Sequence, residues 1–146
     1  MRHQSEALEQ HLKQMGVISF AILTGVVIFS GVVWYMVNPG GFRPGQDLQA
    51  YLALGANLVA LVAILKAQFL HRFFQPPGPQ APEETVLAWH KRNTIVAFAL
   101  REGGALIALV GVLLTGQQAG GFAMAGLAIV TMVIGWPRRE DVEPWG

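Results

Sequence analysis

From Gly16 to Val37 the chain reads GVISFAILTGVVIFSGVVWYMV, with no charged side chain. A helix needs about 20 such residues to cross the hydrocarbon of a bilayer, and it satisfies its own backbone polar groups where no water is available. The run is therefore expected to be a transmembrane helix, with Trp34 and Tyr35 near its far end, where amphipathic rings favour the interface. Composition points the same way: 146 residues that are 53% apolar and 13% charged, with a mean hydropathy of +0.43, carry more apolar surface than a soluble domain of that size can hide.

Three further spans follow by the same reasoning. Asn38-Pro39-Gly40-Gly41 stops the first, because proline disfavours helix at the residue before it and paired glycines release the chain. The second is expected from near Asp47, a plausible N-cap, to about Phe74. QPPGPQAPEE is then a stiff polar linker, and Trp89, His90, Lys91 and Arg92 mark the next interface. The third span, Thr94 to Thr115, carries Arg101 and Glu102 side by side with Gly103-Gly104 after them. Past a tight turn at Gly116-Gln117-Gln118, the fourth runs from about Ala119 to Trp136, where Pro137 ends it.

The resulting plan is an all-α integral membrane protein of four transmembrane helices in two antiparallel hairpins. It comprises an amphipathic N-terminal segment over 1–15, a first hairpin over 16–75, a Pro-rich linker over 76–89, a second hairpin over 90–136 and a charged tail over 137–146. Residues 1–15 read equally as a surface-lying lead-in, from Leu8, Leu12 and Met15 at helical spacing, or as an extension of the first span. They do not resemble a cleavable signal, since the polar part is long and contains Glu6 and Glu9. Arg2, Lys13, Arg72, Lys91, Arg92, Arg138 and Arg139 fall on one side and only Arg43 on the other, which predicts both termini and the linker in the cytoplasm.

A shift of 78 residues lays FAILTGVVIF, from Phe20, over FALREGGALI, from Phe98, and brings Thr24 opposite Glu102. The match suggests duplication of a two-helix unit, and chance similarity between apolar helices explains it as well. On the third helix Gly104, Ala108, Gly111 and Thr115 form a narrow stripe of small residues, with counterparts Gly121, Ala125, Ala128 and Gly135 on the fourth and Ala53, Ala56, Ala60, Ala63 and Ala67 on the second. Small side chains let helix backbones approach closely, so these are candidate packing faces.

An ionisable group within a span is a candidate site. Glu102 falls opposite the small-residue stripe, facing either a neighbour in the bundle, another subunit or lipid. It has three readings: a pairing with Lys66 or Arg101 that fixes the hairpins together, a contact with a partner subunit, or an ion-carrying carboxylate. Lys66 and Glu102 differ in depth by about 6 Å at 1.5 Å per residue, within side-chain reach. Asn57, midway along the second helix, reads as a hydrogen-bonding residue between helices. His71 and His90 can approach across the linker, which makes an interfacial haem, metal or quinone site one reading and simple interfacial anchoring the other. No cofactor and no metal is expected, and no phosphate loop, HExxH, GxSxG or serine-histidine-acid set is readable, so the chain is not expected to be an enzyme. The scattered basic residues leave no footprint for nucleic acid, and the absence of cysteine excludes disulfides and thiolate sites.

FALREGGALIALVGVLLTG, from Phe98, resembles the duplicated proteolipid ring subunits of rotary ATPases, which implies two hairpins and a buried carboxylate, Glu102, that carries an ion. That family places its carboxylate on the second helix of a hairpin, whereas Glu102 is on the first. The segment also looks like that of small four-helix bacterial membrane proteins, which implies a bacterial inner membrane. The expected partners are the lipid bilayer and other membrane subunits or further copies. The expected role is a non-catalytic small subunit or accessory protein assembling through its small-residue faces. The alternatives are a proteolipid-like or small-transporter oligomer moving protons or cations on Glu102, and a redox subunit.

Overall fold

The computed structural model of the chain describes residues 2–37, 46–69, 77, 78 and 80–138. They form four helices and, among the described residues, no strand: α1 (Arg2–Val37), α2 (Gln46–Gln68), α3 (Glu83–Thr115) and α4 (Gln118–Ile134). The first three are long and apolar enough to cross a membrane. The fourth is apolar but has 17 residues, about 25 Å at 1.5 Å per residue, against hydrocarbon about 30 Å thick. Arg43, His71, Arg72 and Arg139 lie outside the described residues.

α1 continues without a break from Arg2, so of the two readings of residues 1–15 the extension of the first helix is the one seen over 2–15. Two boundaries differ from the sequence reading. α3 opens at Glu83, within the stretch assigned to the linker. Prolines forbid helix only as far as Pro82, whose carbonyl accepts from the Thr85 and Val86 N–H groups; Glu84 then places negative charge at the positive end of the helix. α2 ends at Gln68, short of the expected Phe74, where the Phe69 N–H is shared between the Leu65 and Lys66 carbonyls at 3.3 and 3.2 Å.

α3 is the axle of the bundle, packing against each of the other three helices. Its ladder with α2 uses the small residues: a Cβ built on Gly104 would stand 3.0 Å from the Ala60 carbonyl oxygen, and one on Gly111 would stand 2.8 Å from the Ala56 Cβ. On α4, a Cβ on Gly121 would overlap Val112 Cγ2 and stand 2.8 Å from the Ala108 carbonyl oxygen. Ala125, Ala128 and Met132 continue that buried face, while Ala53, Ala60 and Ala67 line the inner side of α2.

α1 packs against α3 and α4, whereas α1 and α2 form no packed pair among the described residues. The first hairpin therefore does not repeat the packing of the second, where α3 and α4 lie together through the Gly121 contact. The reason is in the side chains: the inner face of α1 carries Val26 and Val33, which join Phe98, Ala105 and Leu109 of α3 and Ala125 and Met132 of α4. Trp34 closes this end with a T-shaped contact to Phe122, ring centres 5.5 Å apart.

Three helix hydroxyls bond to the backbone of their own helix. Ser30 Oγ donates to the Val26 carbonyl at 2.8 Å and Thr131 Oγ1 to the Ala128 carbonyl at 2.9 Å. Thr115 Oγ1 donates to the Gly111 carbonyl at 2.7 Å and accepts from the Gln117 N–H. The chain then turns at Gly116, whose φ of 70° suits a residue without Cβ, and the Gly116 N–H closes α3 on the Val112 carbonyl.

Candidate functional site

The chemistry-bearing side chains gather along the seam between α1 and α3 and at the level where α2 and α4 stop. α1 and α3 run parallel, because His11 meets His90 and, further along, Gly25 meets Glu102. Those pairs are 79 and 77 residues apart. The shift of 78 at which the sequence matches itself is thus the lateral register of two neighbouring helices.

Arg101 is only 5% exposed and turns away from Glu102 towards the ends of two helices. Its Nη2 donates to Gln68 Oε1 at 3.4 Å, at the last residue of α2. Its Nη1 lies 2.8 Å from the place a Cβ on Gly135 would take, just past the end of α4. The last turn of α4 has no basic residue of its own, so Arg101 brings a cation to that negative helix end. The guanidinium carbon stands 5.7 Å from the centre of the Phe98 ring, within cation–π range, and Phe98 in turn meets Trp136 edge to face at 6.5 Å. Arg101 Nε is buried without a partner.

Glu102 points to the other side of α3. Its Oε1 lies 3.8 Å from where a Cβ on Gly25 would stand, so the neighbour that covers this partly buried carboxylate is α1 of the same chain. The expected pairing with Lys66 is absent: Lys66 is exposed on α2, which packs against the Gly104 and Gly111 face, and no ion pair to Glu102 occurs among the described residues. Nor does Arg101 supply the counter-charge, since consecutive residues project about 100° apart on a helix and these two diverge.

Arg101 sits level with Gln68 and Gly135, so the Arg101–Glu102 pair lies where α2 and α4 end. Beyond that level α3 continues back to Glu83 and α1 to Arg2, with neither α2 nor α4 beside them. The projecting surface is polar, with Glu9, Gln10, Lys13, Gln14, Glu84, Lys91 and Arg92 exposed, whereas exposed large apolar side chains on α1 begin at Val17.

Within this projection His11 Nε2 and His90 Nδ1 stand 3.2 Å apart, at 9% and 7% exposure. Burial, and then the ammonium of Lys91, push the His11 imidazole below its ordinary range. The sequence suggests His71 as the neighbour of His90; in the structure His90 meets His11, and His71 is outside the described residues. Asn57 lies against the first turn of α4, its Nδ2 2.5 Å from where a Cβ on Gly120 would be, but its Oδ1 is buried without a hydrogen bond. Among the described residues no three His, Asp or Glu side chains come together as a metal site would require.

Comparison with models of known families, with curated proteins and with solved structures finds no match to this chain.

Proposed function

We propose that this chain is a small accessory subunit of a larger assembly in a bacterial inner membrane, and that the projecting α1/α3 pair is what it presents to its partner. The observation that carries this reading is the projection itself: two long helices leave the four-helix part together and keep a polar outer surface. The basic residues Lys13, Lys91 and Arg92 on that side support a cytoplasmic orientation for it. The small-residue faces support the bundle from within, since Gly104, Ala108, Gly111, Gly121, Ala125 and Ala128 are all buried in the chain's own helix contacts. Partner contacts then fall to the projection and to the outer apolar face of α2, where Leu54, Leu58, Val62 and Leu65 are exposed. Purification in mild detergent followed by native mass measurement tests this: a discrete partner should travel with the chain and be lost on Lys13→Glu with Lys91→Glu. A bare monomer from native membranes, or a partner indifferent to both changes, defeats the reading.

A second reading has its own observation, the partly buried Glu102 carboxylate against α1 with no basic partner among the described residues. Such a group can take up and release a proton, as in the proteolipid-like alternative. Glu102→Gln should abolish proton or cation flux in reconstituted vesicles if this holds, and unchanged flux removes it.

A further inference from the structure

We propose that two copies of this chain pair in the membrane about a two-fold axis along its normal, with Lys66 of each copy meeting Glu102 of the other. The starting point is two opposite charges left apart within one chain. Glu102 is partly buried and Lys66 exposed, and neither makes an ion pair among the described residues. Both lie within lengths of helix able to cross a membrane, Lys66 in α2 and Glu102 in α3, where an unpaired charge is costly.

The two charges stand on opposite borders of one open flank of α3, between α1 and α2, which form no packed pair. On the α2 border, Leu52 and Ala56 line an apolar groove with Leu106, Val110 and Leu114 of α3. Leu52, Val59 and Lys66 follow at intervals of seven along one stripe of α2, and all three are exposed. On the α1 border, Glu102 lies beside Gly25. Between the borders α3 presents Ala99, which is exposed, and Gly103, with nothing within 4 Å of an added Cβ. Ala21, one turn before Gly25, is exposed as well. The flank therefore has a floor of small residues beside a ridge of Val59, Val62 and Lys66.

A two-fold rotation about the membrane normal sets the α2 border of each copy against the α1 border of the other. The ridge then meets the small-residue floor, which admits close helix approach, and the two charges face each other. Depth agrees. Lys66 and Glu102 differ by about 6 Å along the normal at 1.5 Å per residue. Helical side chains lean towards their own N-terminus, and α2 and α3 are antiparallel, with Ala60 against Gly104 and Ala56 against Gly111. Lys66 and Glu102 therefore lean towards a common level. Both bridges form at once, so the surface is self-complementary, as a two-fold interface must be. The pairing goes beyond the subunit reading and does not depend on what the projecting helices bind.

The test uses the full chain, co-expressed in two differently tagged forms, extracted in mild detergent and weighed by native mass measurement. The parent should appear as two copies carrying both tags. Lys66→Glu alone and Glu102→Lys alone each set like charges opposite one another, and should lower the paired fraction by about tenfold or more. Lys66→Glu in one copy with Glu102→Lys in the other should restore it, because both bridges re-form with their signs reversed. Gly103→Leu adds bulk to the floor where its own chain leaves space, and should leave single copies with the parent's helix content by circular dichroism. The proposal is overturned if the parent is a single copy, whether bare or carrying lipid or a different chain. It is overturned equally if the single variants or Gly103→Leu pair as the parent does, or if the mixed variants stay apart. A pair of copies with no other chain would support the pairing and count against the subunit reading, whereas a single copy with a discrete partner would do the reverse.

Discussion

Gly121→Ala and Gly126→Ala make the same chemical change on α4, and the packing predicts opposite signs. At Gly121 the new methyl would overlap Val112 Cγ2 and stand 2.8 Å from the Ala108 carbonyl oxygen. The second of these is backbone and cannot rotate aside, so α3 and α4 must move apart. Overpacking a close contact costs about 1–3 kcal/mol, while replacing glycine by alanine inside a helix returns about 0.5–1 kcal/mol. The net is a loss of about 1–2 kcal/mol. Nothing lies within 4 Å of a Cβ on Gly126, so only the helix-propensity gain remains there, about 0.5–1 kcal/mol. For a chain of this size that corresponds to a midpoint lowered by roughly 4–8 °C in the first variant and raised by roughly 2–4 °C in the second. Thermal unfolding followed by far-ultraviolet circular dichroism in one fixed detergent reads both. Shifts of the same sign, or a Gly121→Ala variant as stable as the parent, would refute the close α3–α4 approach.

Other outcomes follow from the seam and the helix ends. Arg101→Met should keep stability within about 1 kcal/mol, because the stem still packs and a buried, incompletely paired cation is removed, whereas Arg101→Ala should cost about 2–4 kcal/mol through the cavity it leaves; denaturation in mixed micelles distinguishes them. Because the folded-state pKa of His11 is depressed, the unfolded chain takes up its proton first as pH falls, so the His11 contribution is whole above its ordinary value of 6.5 and is lost below it. Lys91→Gln relieves one of the two causes of that depression and should make the acid loss shallower, as measured by unfolding midpoints between pH 8 and pH 5. Gly25→Ala should be tolerated, since its methyl would stand 3.8 Å from Glu102 Oε1, while Gly25→Leu should loosen α1 from α3 and raise amide exchange along the seam.

The helices themselves were legible because spanning length and the absence of charge are local properties, as in Gly16 to Val37. Their ends were less so. Glu83 falls in a proline-rich segment whose helix-breaking power stops at Pro82, and α2 ends at Gln68, which no local pattern in the sequence marks. The small residues of α3 read as one stripe, but two helices share it: Gly104 and Gly111 serve α2, and Ala108 serves α4. The His11–His90 contact has no local signature, because it joins residues 79 apart. A trace was present all the same, since the shift that set Phe20 over Phe98 also sets His11 over Trp89, one residue from its partner.

That register bears on how two adjacent charges can have unrelated roles. Arg101 and Glu102 invite treatment as an ion pair, and a pair would neutralise itself wherever it lay. Helical geometry separates them. Arg101 is committed to the ends of α2 and α4, with Phe98 and Trp136 around it, in the position where a cation suits a helix terminus and an amphipathic ring suits an interface. Glu102 is turned to α1, at a glycine that leaves room for its carboxylate. The same α1/α3 seam carries His11 and His90 further out, so the carboxylate and these two imidazoles lie on one helix pair and the Arg101 guanidinium lies on the other face of α3. A change at Glu102 should therefore be felt along α1, whereas a change at Arg101 should be felt at α2 and α4. Labels placed on α1 and on α4 in Glu102→Gln and Arg101→Met separate the two responses, and equal effects of both variants at both places would show that the faces of α3 are not independent.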